Sequence, residues 1–271
     1  MIKLVRKENI TEKWKKWVAK CEQQTFVLIE QFNSGAPLQL RQTLYKNQKA
    51  AIAALSHGKC VFCEKKILST QYGEVEHYRP KAGVSEANWS LVQYTREGRT
   101  GKHRGYFWLA YDFKNLMLAC IACNQTGADR EWGKSTRFPV KGFRAEKPNE
   151  ERDESPMLIN PFEDDPIDHI AIDETGILAA LNGSEKGAVT IDVLGLNKRG
   201  LEVERAQTYA QVRDKMSLLF AQTTSLGAAK VVEQIRDLQA PHHELAYARR
   251  AAVKGMLDTI SGISSAISEE R

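Results

Sequence analysis

The sequence predicts an α+β protein in which a small cysteine-rich β region lies between two helical regions. Apolar residues recur at helical spacing over the first 56 or so residues and again from about residue 198. Between them, residues 74–78 alternate like a short strand, and residues 115–120 form a short apolar run that ends in a cysteine. At 271 residues, the chain is long enough for one substantial core and a smaller unit.

The N-terminal region, residues 1–57, is predicted to hold two helices. Residues 11–33 place Trp14 and Trp17 on an approximate apolar stripe, and Thr11 is a suitable N-cap. A second helix is expected over residues 38–56. Together with Phe26 the tryptophans could form a stacking surface, but packing in the core is the favoured interpretation.

Residues 58–147 contain two Cys-x-x-Cys pairs, Cys60 with Cys63 and Cys120 with Cys123. Four thiolates can close a tetrahedral Zn²⁺ site that has no open position and therefore builds structure. A redox pair is the alternative, and it is disfavoured because the βαβ context of thioredoxin-like proteins is missing. We expect structural zinc.

Three further side chains in this region are suited to a different metal. Glu76 and His77 end the first predicted strand, and Asn124 directly follows the second cysteine pair. Hard oxygen ligands next to a base suit attack on a phosphodiester assisted by Mg²⁺ or Mn²⁺. We expect His77 to be the general base, with activity falling below about pH 6.5, the ordinary imidazole pKa. Because neighbouring residues on a strand face opposite ways, a twist or bulge is expected at Glu76 and His77.

Basic residues concentrate around this region, although the net charge of the whole chain is only +5. A local positive field fits a polyanionic substrate. Arg79, Lys134 and Arg137 are the candidates for contacts with a nucleic-acid backbone, and solvated loops are the alternative. The remaining histidines are interpreted as bystanders: His57, His103, His169, His242 and His243.

The rest of the chain is predicted to be a connector and a helical region. Residues 82–104 are expected to form a long loop, and residues 148–195 an acidic connector with a hairpin near residues 170–181. Residues 196–271 should form helices over 199–219, 228–238 and 241–267, a possible surface for a partner. No signal peptide or membrane span is predicted, so the expected location is the cytoplasm.

The central motifs resemble the ββα-metal motif of HNH endonucleases. The resemblance is carried by the cysteine pairs, by EHYRP at residues 76–80 and by NLMLACIACN at residues 115–124. It implies a zinc-stabilised ββα-metal core with flanking N-terminal and C-terminal helices. It also implies His77 as the base, Asn115 as the residue that orients the histidine loop, and Glu76 and Asn124 as ligands of the catalytic ion. Glu76 stands where the family usually has Asp, and Asn124 where it often has His.

A more specific resemblance covers roughly residues 58–205. The strings VEHYRPKAG, YFWLAYDFKNLMLACIACNQ, RFPV, LINPFEDDP and TIDVLGLNKRGL resemble the HNH proteins of Septu-type antiphage systems and related retron-linked operons. This resemblance implies a nuclease that acts in defence together with an ABC-type ATPase. The expected substrate is nucleic acid, with DNA favoured over RNA. An RNA-cleaving nuclease and a non-catalytic zinc-dependent binding module remain the alternatives.

Overall fold

The computed structural model describes residues 1–6, 11–67, 73–96, 99–127 and 131–269. The helices of this part are α1 (Glu12–Asn33), α2 (Gln42–Lys46), α3 (Lys49–Leu55), α4 (Ile121–Asn124), α5 (Glu185–Val193), α6 (Leu201–Ala221), α7 (Thr223–Leu226), α8 (Ala228–Leu238) and α9 (Ala246–Glu269). The strands are β1 (Gly73–His77), β2 (Gln93–Arg96), β3 (Arg99–Lys102), β4 (Leu116–Cys120), β5 (Val140–Lys141), β6 (Ser155–Pro156), β7 (Ile170–Ile172) and β8 (Leu178–Ala180). Among the described residues, the strands pair antiparallel as β1–β4, β2–β3, β5–β6 and β7–β8, so the predicted α+β class is confirmed.

The first helix forms where the sequence predicts it. The Thr11 side chain accepts a hydrogen bond from the backbone N–H of Trp14, which satisfies one of the free donors of the first turn. Trp17 is buried on the inner face of α1, and its ring packs edge-on against Phe113. The core interpretation is therefore correct for Trp17 and wrong for Phe26, whose side chain is exposed.

Three local predictions differ from the structure. The second helix is interrupted between α2 and α3, at Asn47 and Gln48. The expected long loop contains the β2–β3 hairpin, because Tyr94 and the threonines that follow it favour strands despite the polar composition around them. Helix α5 was not predicted, and Ser184 begins it by accepting a hydrogen bond from the Gly187 N–H.

The central feature is the antiparallel pair of β1 and β4. Every residue of β4 is buried, which explains why its sequence is apolar throughout instead of alternating. Helix α3 packs on this pair, and the single turn of α4 follows directly after Cys120. The hairpin therefore brings the end of β1 opposite the start of β4, and both cysteine pairs to its other end.

The apolar core has two parts. The larger part joins α1, α3, the β1–β4 pair, β7–β8 and α5. A smaller one lies between α6, α8 and α9 and contains Val212, Met216, Leu219, Val231, Leu238, Ala252 and Val253. No helix in the described part of the chain is both long and apolar enough to cross a membrane.

Candidate active site and metal centre

The four paired cysteines form one buried cluster. Cys60 and Cys63 lie in the turns after α3, Cys120 ends β4, and Cys123 lies in α4. Their sulfur atoms all lie within 4.8 Å of one another, and the Sγ atoms of Cys63 and Cys120 are 3.8 Å apart. A tetrahedron with Zn–S bonds of about 2.3 Å has edges of about 3.8 Å. The cluster thus has the size and donor set of a structural zinc site.

The surroundings of the cluster shift the pKa values of its cysteines in opposite directions. Hydrogen bonds from the other thiols, Cys123 first, hold the pKa of Cys120 far below that of an ordinary thiol. Arg199 adds a positive charge, since its Nη2 donates to the Sγ of Cys123 at 3.4 Å. Burial raises the pKa of Cys60, and the hydrogen bond with Cys120 raises the pKa of Cys123, so these two thiols would release their protons when the cluster takes up zinc.

His77 is held in one tautomer by a backbone carbonyl. The imidazole is buried, with its Nε2 2.9 Å from the carbonyl oxygen of Ala110. A carbonyl oxygen can only accept, so Nε2 carries the hydrogen and Nδ1 keeps its lone pair. The edge-on ring of Tyr45, at 4.7 Å between centroids, fixes the imidazole plane. Nδ1 is therefore the atom available as a base.

The charge state of His77 is set by burial and by a lysine. Nδ1 lies 3.5 Å from the Nζ of Lys81. Burial, and then the positive charge of Lys81, lower the His77 pKa from its ordinary value to about 3. The imidazole is thus neutral over a wider pH range than the sequence analysis expected from the ordinary imidazole pKa.

Asn115 clamps the chain that follows His77. Its Oδ1 accepts from the Arg79 N–H at 2.7 Å, and its Nδ2 donates to the Arg79 carbonyl at 3.0 Å. The Nδ2 also donates to the Leu109 carbonyl at 3.2 Å. One buried amide therefore ties three backbone groups together at the start of β4. A residue that orients the loop after His77 needs such hydrogen bonds to the backbone of that loop.

Glu76 forms a buried ion pair. The Nζ of Lys134 donates to Glu76 Oε1 at 2.6 Å and to the His77 carbonyl at 2.8 Å, and Lys134 is fully buried. Burial raises the pKa of Glu76, while the charge of Lys134 acts in the opposite direction. Strand pairing is one-to-one through Glu76 and His77, so the expected bulge does not occur and β1 simply ends at His77.

Asn124 lies next to a carboxylate that the sequence analysis did not single out. Its Nδ2 donates to Glu74 Oε2 at 2.6 Å, and Gln125 donates to the other oxygen of Glu74 at 2.6 Å. Glu74 and Glu76 lie two residues apart on β1 and so face the same side. This alternation could have identified Glu74 from sequence. Lys81 was also missed, and its position one residue after Pro80 was the only available signal.

The three cations predicted to contact a nucleic-acid backbone all have protein partners. Arg79 donates from Nε to Glu154 at 3.0 Å. Arg137 is buried, with Nη2 bonded to the carbonyls of Gly133 and Val193 and Nη1 to that of Ala87. Lys134 is buried against Glu76. A charge inside a protein has to be paired, and all of these acceptors except the Gly133 carbonyl come from distant parts of the sequence. A phosphate contact by Lys134 or Arg137 would require present partners to be given up.

The fold and site define a protein with a buried four-cysteine cluster, able to hold a metal ion, on a β-hairpin that carries a buried histidine. No family model matches the chain. It is 34% identical to Septu protein PtuB of Bacillus mycoides (strain KBAB4) over 199 residues, which are 72% of this chain and 62% of PtuB. It is 31% identical to Septu protein PtuA of the same strain over 185 residues, 66% of this chain and 23% of PtuA.

The chain is thus a relative of the Septu proteins, similar to PtuB, and the Septu-type resemblance seen in the sequence is confirmed. It spans less than two thirds of the length of PtuB and less than a quarter of the length of PtuA.

Proposed function

We propose that this protein is a metal-dependent HNH endonuclease that hydrolyses phosphodiesters in nucleic acid, with DNA as the first substrate to test. Its role would be in Septu-type antiphage defence, together with an ABC-type ATPase, in the cytoplasm. The observation that carries the proposal is the tautomer of His77. An imidazole whose Nε2–H is anchored on a buried carbonyl, at 2.9 Å, presents Nδ1 as a base.

The donor sets fit two different metals. The four cysteines fit zinc by size and by chemistry. For Mg²⁺ or Mn²⁺, the candidate oxygen donors on β1 and α4 are Glu74, Glu76 and the amide of Asn124. Glu74 accepts hydrogen bonds from the side-chain amides of Asn124 and Gln125, and Glu76 accepts one from Lys134. Both carboxylates would exchange these partners for the ion. The ion, when bound, would offset the negative charge of the phosphate during hydrolysis.

The residues of the chain supply the proton transfer. His77 Nδ1 takes the proton of the attacking water, and the Ala110 carbonyl stabilises the imidazolium that results. Asn115 keeps the loop after His77 in place, since it bonds both backbone groups of Arg79. Expected products carry 5′-phosphate and 3′-hydroxyl ends.

Lys81 links substrate binding to the strength of the base. An imidazole with a pKa near 3 accepts protons poorly at neutral pH. A substrate phosphate is an anion and would attract the ammonium of Lys81 away from Nδ1. Losing that cation and gaining a nearby anion both raise the pKa of His77. Substrate binding would thereby make His77 a stronger base, with the acid limb of the activity profile between about pH 3 and the ordinary imidazole value of about 6.5.

The experiment is a cleavage assay on plasmid DNA and on structured RNA, in Mg²⁺, in Mn²⁺ and in EDTA. His77→Ala should lose activity by a factor of about 10²–10⁴. His103→Ala is the matched control, because His103 is also a buried histidine whose Nε2 faces a carbonyl, that of Ala145 at 2.8 Å. Only the change at His77 should abolish metal-dependent cleavage.

Other outcomes revise the proposal in defined ways. Cleavage of RNA alone changes the substrate class and keeps the mechanism. If the wild-type chain is inactive alone and stays inactive with the proposed ATPase partner, the non-catalytic binding module becomes the better description. Equal loss in both variants would assign the effect of His77→Ala to packing.

A further inference from the structure

A second cluster of metal-binding side chains lies at the junction of α8 and α9. Asp237 is in the last turn of α8, and His242 and His243 follow in the connection to α9. One ligand atom of each lies within 4.8 Å of the others. The two imidazole rings are 4.2 Å apart between centroids, and Nε2 of His243 is 3.6 Å from Oδ1 of Asp237. These three donors converge on one small volume.

The nitrogen of His243 in this cluster is not satisfied by the protein. Its Nε2 is shielded from solvent and has no hydrogen-bond partner in the described part of the chain. The carboxylate of Asp237 is its neighbour, but 3.6 Å is too long for a hydrogen bond. A buried polar atom without a partner is costly, and a ligand between the two groups would remove the cost.

We infer that Asp237, His242 and His243 bind a divalent transition-metal ion of the zinc class. Two imidazoles and one carboxylate are borderline donors that suit Zn²⁺, Co²⁺ or Ni²⁺, whereas Mg²⁺ and Ca²⁺ prefer oxygen alone. Three protein ligands also leave a coordination position open. This site is separate from the cysteine cluster and does not depend on the proposed nuclease function.

The surroundings make this site weaker than the cysteine cluster. It has three ligands instead of four thiolates, and Asp237 and His242 are exposed. Two arginines also lie against the same connection, since Arg249 donates to the Glu244 carbonyl and Arg250 to the Gln239 carbonyl. Positive charge nearby opposes a dication. A chelator should therefore empty the Asp237 site first.

The position of the site gives the ion a structural consequence. The connection that holds the histidines is docked on the cysteine knuckle. The Nζ of Lys59 donates to the His243 carbonyl at 2.7 Å, and the Tyr247 N–H donates to Glu64 at 3.1 Å. An ion that joins Asp237 to this connection would fasten α8 to the segment that contacts the zinc knuckle. Metal uptake would then stabilise the attachment of the C-terminal helices.

The test is a zinc titration of the full-length chain after the cysteine cluster has been loaded. The wild type should bind a second equivalent, with a rise in melting temperature. The variants His243→Gln and Asp237→Asn should lose the second equivalent or bind it more than about tenfold more weakly. Asp258→Asn, an exposed aspartate of α9, and His169→Gln are the controls and should retain it.

Cobalt provides a readout that separates the two sites. Co²⁺ in the cysteine cluster gives thiolate charge-transfer bands, whereas Co²⁺ bound by Asp237, His242 and His243 gives only weak d–d bands. The expected second equivalent therefore adds no charge-transfer intensity. Saturation of the wild type at one equivalent would overturn the inference. So would an unchanged second equivalent in both His243→Gln and Asp237→Asn, once circular dichroism has shown that they are folded.

Discussion

The cysteine cluster and the histidine site lie at opposite ends of the same two strands, and they differ in how their residues are specified. The cluster uses four residues of one type in two short pairs, and its sulfur atoms converge within 4.8 Å. The histidine site draws its partners from α2, β1 and segments as distant as Ala110 and Lys134. The first has the donor set of a closed, structural zinc site. The second is a network of buried charges, in which the charge of Lys81 would control the strength of His77 as a base.

If the cluster is structural, losing one of its ligands should have the largest effect. Cys63→Ala should abolish zinc binding and remove most of the stability, because the binding energy of a structural zinc, on the order of 10 kcal/mol, is folding energy. Zinc content and thermal unfolding measure both effects. Cys21→Ala is the control, since Cys21 is a buried cysteine outside the cluster, and it should keep the metal. A stably folded, zinc-loaded Cys63→Ala protein would contradict the structural role.

The histidine site should be more sensitive to lost charge pairing than to lost volume. Lys134→Met keeps much of the side-chain volume but leaves the buried carboxylate of Glu76 unpaired, which should cost about 3–5 kcal/mol. Urea unfolding measures the change. In the control, Lys141→Met, an exposed pair with Glu185 is lost, and the cost should be about 0–1 kcal/mol. Equal costs for the two variants would mean that Glu76 is not isolated from solvent in the way the structure indicates.

The pH dependence of stability should also reflect the histidine site. The folded pKa of His77, about 3, lies below the unfolded value of about 6.5, so the unfolded chain binds more protons between these values. Stability should therefore fall as the pH drops from about 6.5 toward 3, by about 1.4 kcal/mol per pH unit for this group. Burial also lowers the pKa of His103, which acts in the same direction.

His77→Gln should flatten this dependence, since glutamine can still donate to the Ala110 carbonyl but does not titrate. Gln24→Ala, at a buried residue that does not titrate, should leave the slope unchanged. Unfolding free energies measured at several pH values give both slopes. Identical slopes for the wild type and His77→Gln would show that His77 titrates normally in the folded protein.

The same contrast explains what the sequence could predict. Local patterns in the sequence were predictive. The cysteine spacing corresponds to the buried cluster, the predicted strand ends to the β1–β4 pair, and Thr11 to the start of α1. Glu74 and Lys81 were missed because their importance depends on which residues the fold brings beside them. Lys134 and Arg137 were expected at the surface because a sequence does not show the distant acceptors, such as Glu76 and the Val193 carbonyl, that allow a charge to be buried.

The smallest expected effect would isolate the role of Lys81. Replacing it with methionine removes the positive charge 3.5 Å from Nδ1 but leaves the imidazole buried. The pKa of His77 should then rise and stay below 6.5, because burial is the larger cause of its shift. NMR titration of the imidazole measures this, and Lys81→Arg, which keeps the charge, should leave the pKa near its wild-type value. An unchanged pKa in Lys81→Met would mean that the ammonium does not lie at Nδ1 in solution. Substrate binding would then have no cation to displace, and the proposed activation of the base would have to come from the metal-binding side of the hairpin.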